Sequence, residues 1–163
     1  MARGDHLFVR RSILGDDDGE HLLSFTHHGI DMGDNTIIHF ASLSNTKSKE
    51  GTKIIRTTMR DFAGKQREVH ILDYELLDIH TDHPDIIIKR AESKLGATGY
   101  DLSENNCEHF AFWCRTGIFN SYQIERLRNS TLPTLGLSVA AWYLPFLLPF
   151  IGYSKKYTTI SVD

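Results

Sequence analysis

The chain has 163 residues, 40% of them hydrophobic, which is enough apolar surface for one buried core. Its formal charge is −3 and its 18 Lys and Arg residues are scattered along the chain, which excludes the basic stripe of a nucleic-acid binder. Only two cysteines occur, Cys107 and Cys114; on one helix they would stand roughly 10 Å apart along the axis, too far for a disulfide.

Free thiols imply a reducing, intracellular setting. Met1 to His6 carries no apolar run followed by a small-residue cleavage site, so no secretory signal is expected. His6 to Ile13 alternates loosely and ends at Gly15-Asp16-Asp17-Asp18-Gly19, a turn signal that closes a first strand and reads as a solvated loop rather than a calcium site. Leu22 to Met32 and Thr36 to Ala41 read as two strands joined at Gly33-Asp34-Asn35, residues suited to a tight hairpin. Two further β-like runs, Thr52 to Thr58 and Glu68 to Leu72, are separated by Asp61-Phe62-Ala63-Gly64-Lys65. The spacing predicts an antiparallel sheet of four or five strands.

The pattern then turns helical. Asp82-His83-Pro84 has the form of a helix start, Ile87, Ile88, Ala91 and Leu95 form a stripe, and Gly96 ends it; His80 and His83 read as loop and cap residues. A second helix is expected from near Asn105, where Asn105 and Glu108 have capping-box spacing, to Arg115-Thr116-Gly117. Ser121 to Arg128 suggests a short polar helix. From residue 135 to 151 no charge occurs, and Lys155 and Lys156 follow. As a helix this stretch would span about 25 Å, short of a ~30 Å hydrocarbon core, and Pro145 and Pro149 would break it. It reads as an apolar arm on its own domain or on a second copy, or as a membrane-associated segment, which the flanking aromatics and lysines favour. The chain accordingly divides into a domain over residues 1–130 and a hydrophobic segment with a short polar tail over residues 131–163.

Cys107 falls in the first turn of the second helix, where backbone N–H groups and the helix dipole stabilise a thiolate and an acyl oxyanion. Cys114 belongs to the apolar stripe of that helix and reads as core. His109 points about 200° away from Cys107 and is better suited to a structural hydrogen bond. A base must therefore come from the strand histidines. By strand parity His27, Gly29 and Asp31 share one face, and His28, Ile30 and Met32 the other. The Gly29 face has room for a helix end, which favours His27 over His28 as base. His39, on the paired strand, would orient that base or else be a strand histidine satisfied by a carbonyl. Zinc held by Cys107, His27 and His39 is the alternative, but no short ligand spacing such as Cys-x-x-Cys supports it, so neither metal nor cofactor is expected.

At these residues the sequence resembles the lecithin:retinol acyltransferase-like domain family, which includes the H-Ras-like suppressor phospholipid acyltransferases. The matching stretches are Gly4-Asp5-His6-Leu7-Phe8-Val9, Thr26-His27-His28-Gly29-Ile30 with Gly33-Asp34-Asn35 and Ile37-Ile38-His39-Phe40, and Asn105-Asn106-Cys107-Glu108-His109-Phe110 continuing to Cys114-Arg115-Thr116-Gly117. The resemblance implies Cys107 as nucleophile, His27 as base and His39 as the orienting residue. Asp31, His28 and Asn106 stand next to these residues in the same stretches and are the candidates for binding substrate or modulating the site. It implies an α+β fold: an antiparallel sheet packed on the nucleophile-bearing helix, in circularly permuted papain-like (NlpC-type) order, with a C-terminal hydrophobic segment. Asp31 departs from the aromatic usual after Gly-Ile in that family, and a carboxylate there would raise the pKa of His27 or alter the acyl-donor pocket.

The expected activity is that of a thiol acyltransferase or phospholipase of the A type, working on a phospholipid membrane and forming a Cys107 thioester. The cytoplasmic domain would be held at the bilayer by residues 135–151, through which the chain could also self-associate. The rivals are a cysteine peptidase or amidase and a non-catalytic membrane or interaction module.

Overall fold

The computed structural model describes residues 1–14, 23–42, 52–99, 106–118 and 157–162. The acidic loop at 15–19, the expected helix at 121–128, the apolar segment at 135–151 and the boundary between residues 130 and 131 lie outside them. Among the described residues six strands form one antiparallel sheet in the order β4-β3-β2-β1-β5-β6: β1 His6–Leu14, β2 Leu23–Asp31, β3 Thr36–Ser42, β4 Thr52–Thr58, β5 Glu68–Leu72 and β6 Tyr157–Ser161. The β2–β3 hairpin turns where expected, with Gly33 at φ 81° and Asn35 at φ 64°, both left-handed. Asp34 secures the turn by accepting from Thr36 N at 3.2 Å and pairing with Arg56.

Two elements exceed the sequence expectation. The tail that reads as polar supplies β6, which pairs with β5 through Val69↔Ile160 and Leu72↔Tyr157. The separator between β4 and β5 contains a short helix, α1 Met59–Ala63, capped by Thr58, whose hydroxyl accepts from Asp61 N at 3.1 Å. Five residues are too few for a helical period to show in sequence. The two longer helices follow the reading closely: α2 is Pro84–Ser93, with His83 as N-cap, and α3 is Cys107–Thr116, closed by Gly117 at φ 75°. Leu95 falls beyond α2 and is exposed, so the buried stripe is Ile87, Ile88 and Ala91.

Strand alternation sorts the core into two layers. On one face Ile30, Ile38, Phe40 and Ile54 receive α2 and the Phe110, Ala111 and Cys114 stripe of α3. On the other, Leu7, Val9, Ile37 and Val69 receive Met59, Phe62 and Ala63 of α1. Each fully buried side chain of this size contributes about 1.5–3 kcal/mol, so each helix is held mainly by the face it covers. The helix end was expected on the Gly29 face. Instead α3 packs on the Ile30 face, because its apolar stripe needs an apolar partner and the space over Gly29 is already filled. A Cβ on Gly29 would stand 2.6 Å from Ile37 Cγ2 and 3.0 Å from His39 Cβ.

The sheet also splits. β2 and β3 pair only at Gly29↔His39, Ile30↔Ile38 and Asp31↔Ile37. Beyond that point β2 continues on β1 as far as Leu14↔Leu23, and β3 continues on β4 as far as Ser42↔Thr52. The two strands therefore diverge next to His27 and His39.

Candidate functional site around the β2–β3 split

His27 and His39 project from the two strands that border the split, onto the face covered by α1. His27 Nε2 lies 2.7 Å from His39 Nδ1, and the rings meet edge to face. Phe62 packs against both, with ring centroids 5.5 Å from His27 and 5.2 Å from His39. His39 Nδ1 also lies 2.9 Å from the Phe40 carbonyl, and its Nε2 lies 2.9 Å from Thr57 Oγ1. Thr57, on β4, was not a sequence candidate; only the β3–β4 register, with Ile37 opposite Thr57, brings it to the pair.

Burial keeps both imidazoles neutral. His39 is lowered to about 4 by burial, with the Phe40 carbonyl opposing and the Arg11 guanidinium adding to the fall. His27 is lowered well below its ordinary value by burial first, then by His39, Arg11 and His28. This is the reverse of the upward shift expected from Asp31. That carboxylate is turned to the hairpin, where Oδ1 accepts from Gly33 N at 2.8 Å, and its own pKa is raised, burial being the largest cause.

Two neutral arrangements of the pair are chemically distinct. With the His39 proton on Nδ1, that N–H donates to the Phe40 carbonyl and to His27. With it on Nε2, His39 donates to Thr57 and accepts from His27 Nε2–H, which leaves the lone pair of His27 on Nδ1. Only the second makes His27 a base at Nδ1, an atom with no hydrogen-bond partner among the described residues.

Cys107 comes to the split from the opposite side. Its thiol faces the Thr26 carbonyl at 4.0 Å, a long and weak sulfur contact. Asp31 exchanges main-chain hydrogen bonds with Asp5 and Gly4 on the β1 side, whereas Met32 N–H donates to Thr36 on the β3 side. Peptide groups alternate along a strand, so the Thr26 carbonyl points toward β3, into the split. The structure thus brings His27 and His39 together and sets Cys107 against the carbonyl that precedes His27.

The start of α3 is built by Asn106 rather than Asn105. Asn106 Oδ1 accepts from Glu108 N at 2.9 Å and His109 N at 3.0 Å, while Asn106 N donates to His109 Nδ1 at 3.4 Å. His109 completes the capping box, a structural hydrogen bond as expected. Phe110 N donates to the Asn106 carbonyl, so three N–H groups of this first turn are engaged within the helix start. Neither Cys107 nor Cys114 forms a disulfide; Cys114 is fully buried, and burial pushes its pKa up. No group of three His, Cys, Asp or Glu side chains close enough to hold a metal ion occurs among the described residues.

His28 lies on the α3 face, fully buried, and belongs to a second polar cluster: His28 Nδ1 is 2.8 Å from His6 Nε2, and His28 Nε2 is 2.8 Å from Thr26 Oγ1.

The family model described as lecithin retinol acyltransferase matches residues 1–120. The chain is 32% identical over 151 residues to lecithin retinol acyltransferase of Rattus norvegicus, covering 80% of this chain and 61% of that protein. It is 35% identical over 146 residues to the Homo sapiens protein of the same name, covering 76% of this chain and 58% of that protein. It is 26% identical over 134 residues to phospholipase A and acyltransferase 2 of Homo sapiens, covering 76% of this chain and 83% of that protein. The matched region thus spans about three-fifths of the lecithin retinol acyltransferases it resembles. A family match over residues 1–120, with relatives 32% and 35% identical over more than two thirds of the chain, assigns it: the chain belongs to the lecithin retinol acyltransferase family.

Proposed function

We propose that this protein is a thiol-dependent acyltransferase or phospholipase of the A type, with Cys107 as nucleophile, His27 as base and His39 as the residue that orients it. The observation that carries the reading is the 2.7 Å His27–His39 hydrogen bond at the sheet split to which Cys107 is also directed. The names of the relatives support the class of reaction. The α+β fold, with histidines preceding cysteine in the chain, fits a circularly permuted papain-like order.

In the proposed cycle His27 Nδ1 takes the Cys107 proton and the thiolate attacks an ester carbonyl of a phospholipid. The carbon–sulfur bond forms, the ester carbon–oxygen bond breaks, and the lysophospholipid oxygen leaves with the proton from His27. A thioester remains on Cys107. Water, an alcohol or an amine then attacks it, gives its proton to His27 and releases the thiolate, which regains that proton. Residues 135–151 would bring the domain to the bilayer; no helix among the described residues is itself long and apolar enough to cross a membrane.

One observation favours a second reading, a non-catalytic module. α3 and the His27–His39 pair occupy opposite faces of the sheet, and an imidazole on the far side activates a thiol only through the split. Intact-mass spectrometry with phosphatidylcholine vesicles separates the two. The acyltransferase reading expects a hydroxylamine-labile acyl mass on the wild type and none on Cys107→Ala. A folded wild type with no adduct and no released fatty acid supports the module.

A further inference from the structure

The α3 face of the sheet holds a buried hydrogen-bonded chain that the cycle above does not use. Tyr74 Oη lies 2.8 Å from His6 Nδ1, His6 Nε2 lies 2.8 Å from His28 Nδ1, and His28 Nε2 lies 2.8 Å from Thr26 Oγ1. Tyr74, His6 and His28 are 3%, 0% and 1% exposed, so water does not complete their hydrogen bonds. Phe8 stacks on His28, and the Arg115 guanidinium lies over the Tyr74 ring.

The chain has a direction. Among the described residues the buried Tyr74 hydroxyl has one hydrogen-bond partner, His6 Nδ1, so it must donate there or leave its proton unsatisfied, at a cost of about 1–3 kcal/mol. His6 then carries its proton on Nε2 and donates to His28 Nδ1. His28 in turn carries its proton on Nε2 and donates to Thr26 Oγ1. Burial holds both rings neutral, His6 near 3 and His28 well below its ordinary value, so the order persists at neutral pH. Thr26 receives a hydrogen bond and gives its own proton to no described residue. Each donor in such a series strengthens the next.

Thr26 is also the residue whose carbonyl meets the Cys107 thiol, and its side chain points to the α3 face. The first-turn N–H groups of Glu108, His109 and Phe110 are engaged in the helix start, so of the donors there these three do not serve an oxyanion at Cys107, and a side-chain donor on the facing strand would add to its stabilisation. We propose that the buried chain Tyr74–His6–His28 orients and polarises the Thr26 hydroxyl as a hydrogen-bond donor to the carbonyl oxygen of an acyl group at Cys107. Thr26 is then a catalytic residue, and Tyr74, His6 and His28 are positioning residues. The proposal rests on Cys107 being the nucleophile.

The test uses the full chain with p-nitrophenyl hexanoate, following p-nitrophenolate release and the acyl adduct by intact mass. Thr26→Val keeps the β-branched shape on a partly buried strand position and removes the donor; kcat should fall about 100-fold with KM changed less than about threefold. Thr26→Ser should retain activity within about fivefold. Tyr74→Phe frees the direction of the chain, so kcat should fall about three- to tenfold in wild type and show little further effect on the Thr26→Val background. Circular dichroism and the melting temperature report folding of each variant. A wild-type adduct with unchanged rates in Thr26→Val, or independent multiplicative losses in the double variant, overturns the chain's role and leaves Cys107 as nucleophile. No adduct on the folded wild type overturns both.

Discussion

His27 Nε2 and His39 Nδ1 are joined at 2.7 Å across two strands that stop pairing at His39 itself. Gly29, opposite His39, allows the close approach, since any side chain there would meet Ile37 and His39. The pair is thereby fixed on its strand side while β2 and β3 open beside it.

That bond gives a graded expectation. His39→Ala removes the acceptor that holds the His27 proton on Nε2, and kcat should drop at least about tenfold with KM little changed. His39→Gln can still accept there and should retain more activity. Thr57→Val, one step further out, should cost only about threefold. Steady-state kinetics on a soluble ester check the order, and an inactive Thr57→Val beside an active His39→Ala would contradict it.

Gly29→Ala should harm the site and the fold together. The new methyl at 2.6 Å from Ile37 Cγ2 and 3.1 Å from the Ile38 carbonyl forces β3 away, an overpacking cost of about 1–3 kcal/mol. Urea denaturation should show the loss, and the activity of the fraction still folded should fall because His39 moves with β3. Unchanged stability would show that β3 yields without strain.

Acid should unfold the protein from a high starting pH. His6 and His39 are lowered to about 3 and about 4, and His27 and His28 also fall, so the unfolded chain takes up protons first. Stability is therefore fully present above about pH 6.5 and is lost as pH falls toward the folded values, at about 1.4 kcal/mol per pH unit for each such group. The melting temperature should be several degrees lower at pH 5 than at pH 7.5. His6→Phe, if it folds, should flatten the dependence.

The pairing of β6 with β5 bears on membrane attachment. Tyr157 to Ser161 belong to the same sheet as His6, so β1 and β6 are expected on the same side of any bilayer that residues 135–151 would meet. Epitopes placed at Met1 and Asp163 should be digested together, or protected together, when sealed vesicles carrying the protein are treated with protease. Protection of one alone would require β6 to leave the sheet.

Local patterns determined much of this protein. Short β-like runs marked β4 and β5 to the residue, Gly33 and Asn35 marked the hairpin, and His83-Pro84 and Gly117 marked helix ends, because caps, turns and short runs of strand-forming residues are properties of a few adjacent residues. The resemblance carried by the histidine and Asn-Cys-Glu-His-Phe motifs pointed to the family that the comparison then showed. Parity placed His27 opposite His28, but it could not say which face α3 would cover. That was decided by the fit of Phe110, Ala111 and Cys114 to Ile30, Ile38 and Phe40. Thr57, the β2–β3 split, the Tyr74–His6–His28–Thr26 chain and β6 are likewise tertiary. Each joins residues far apart in sequence, and only the register of paired strands and the docking of helices bring such residues within hydrogen-bonding distance.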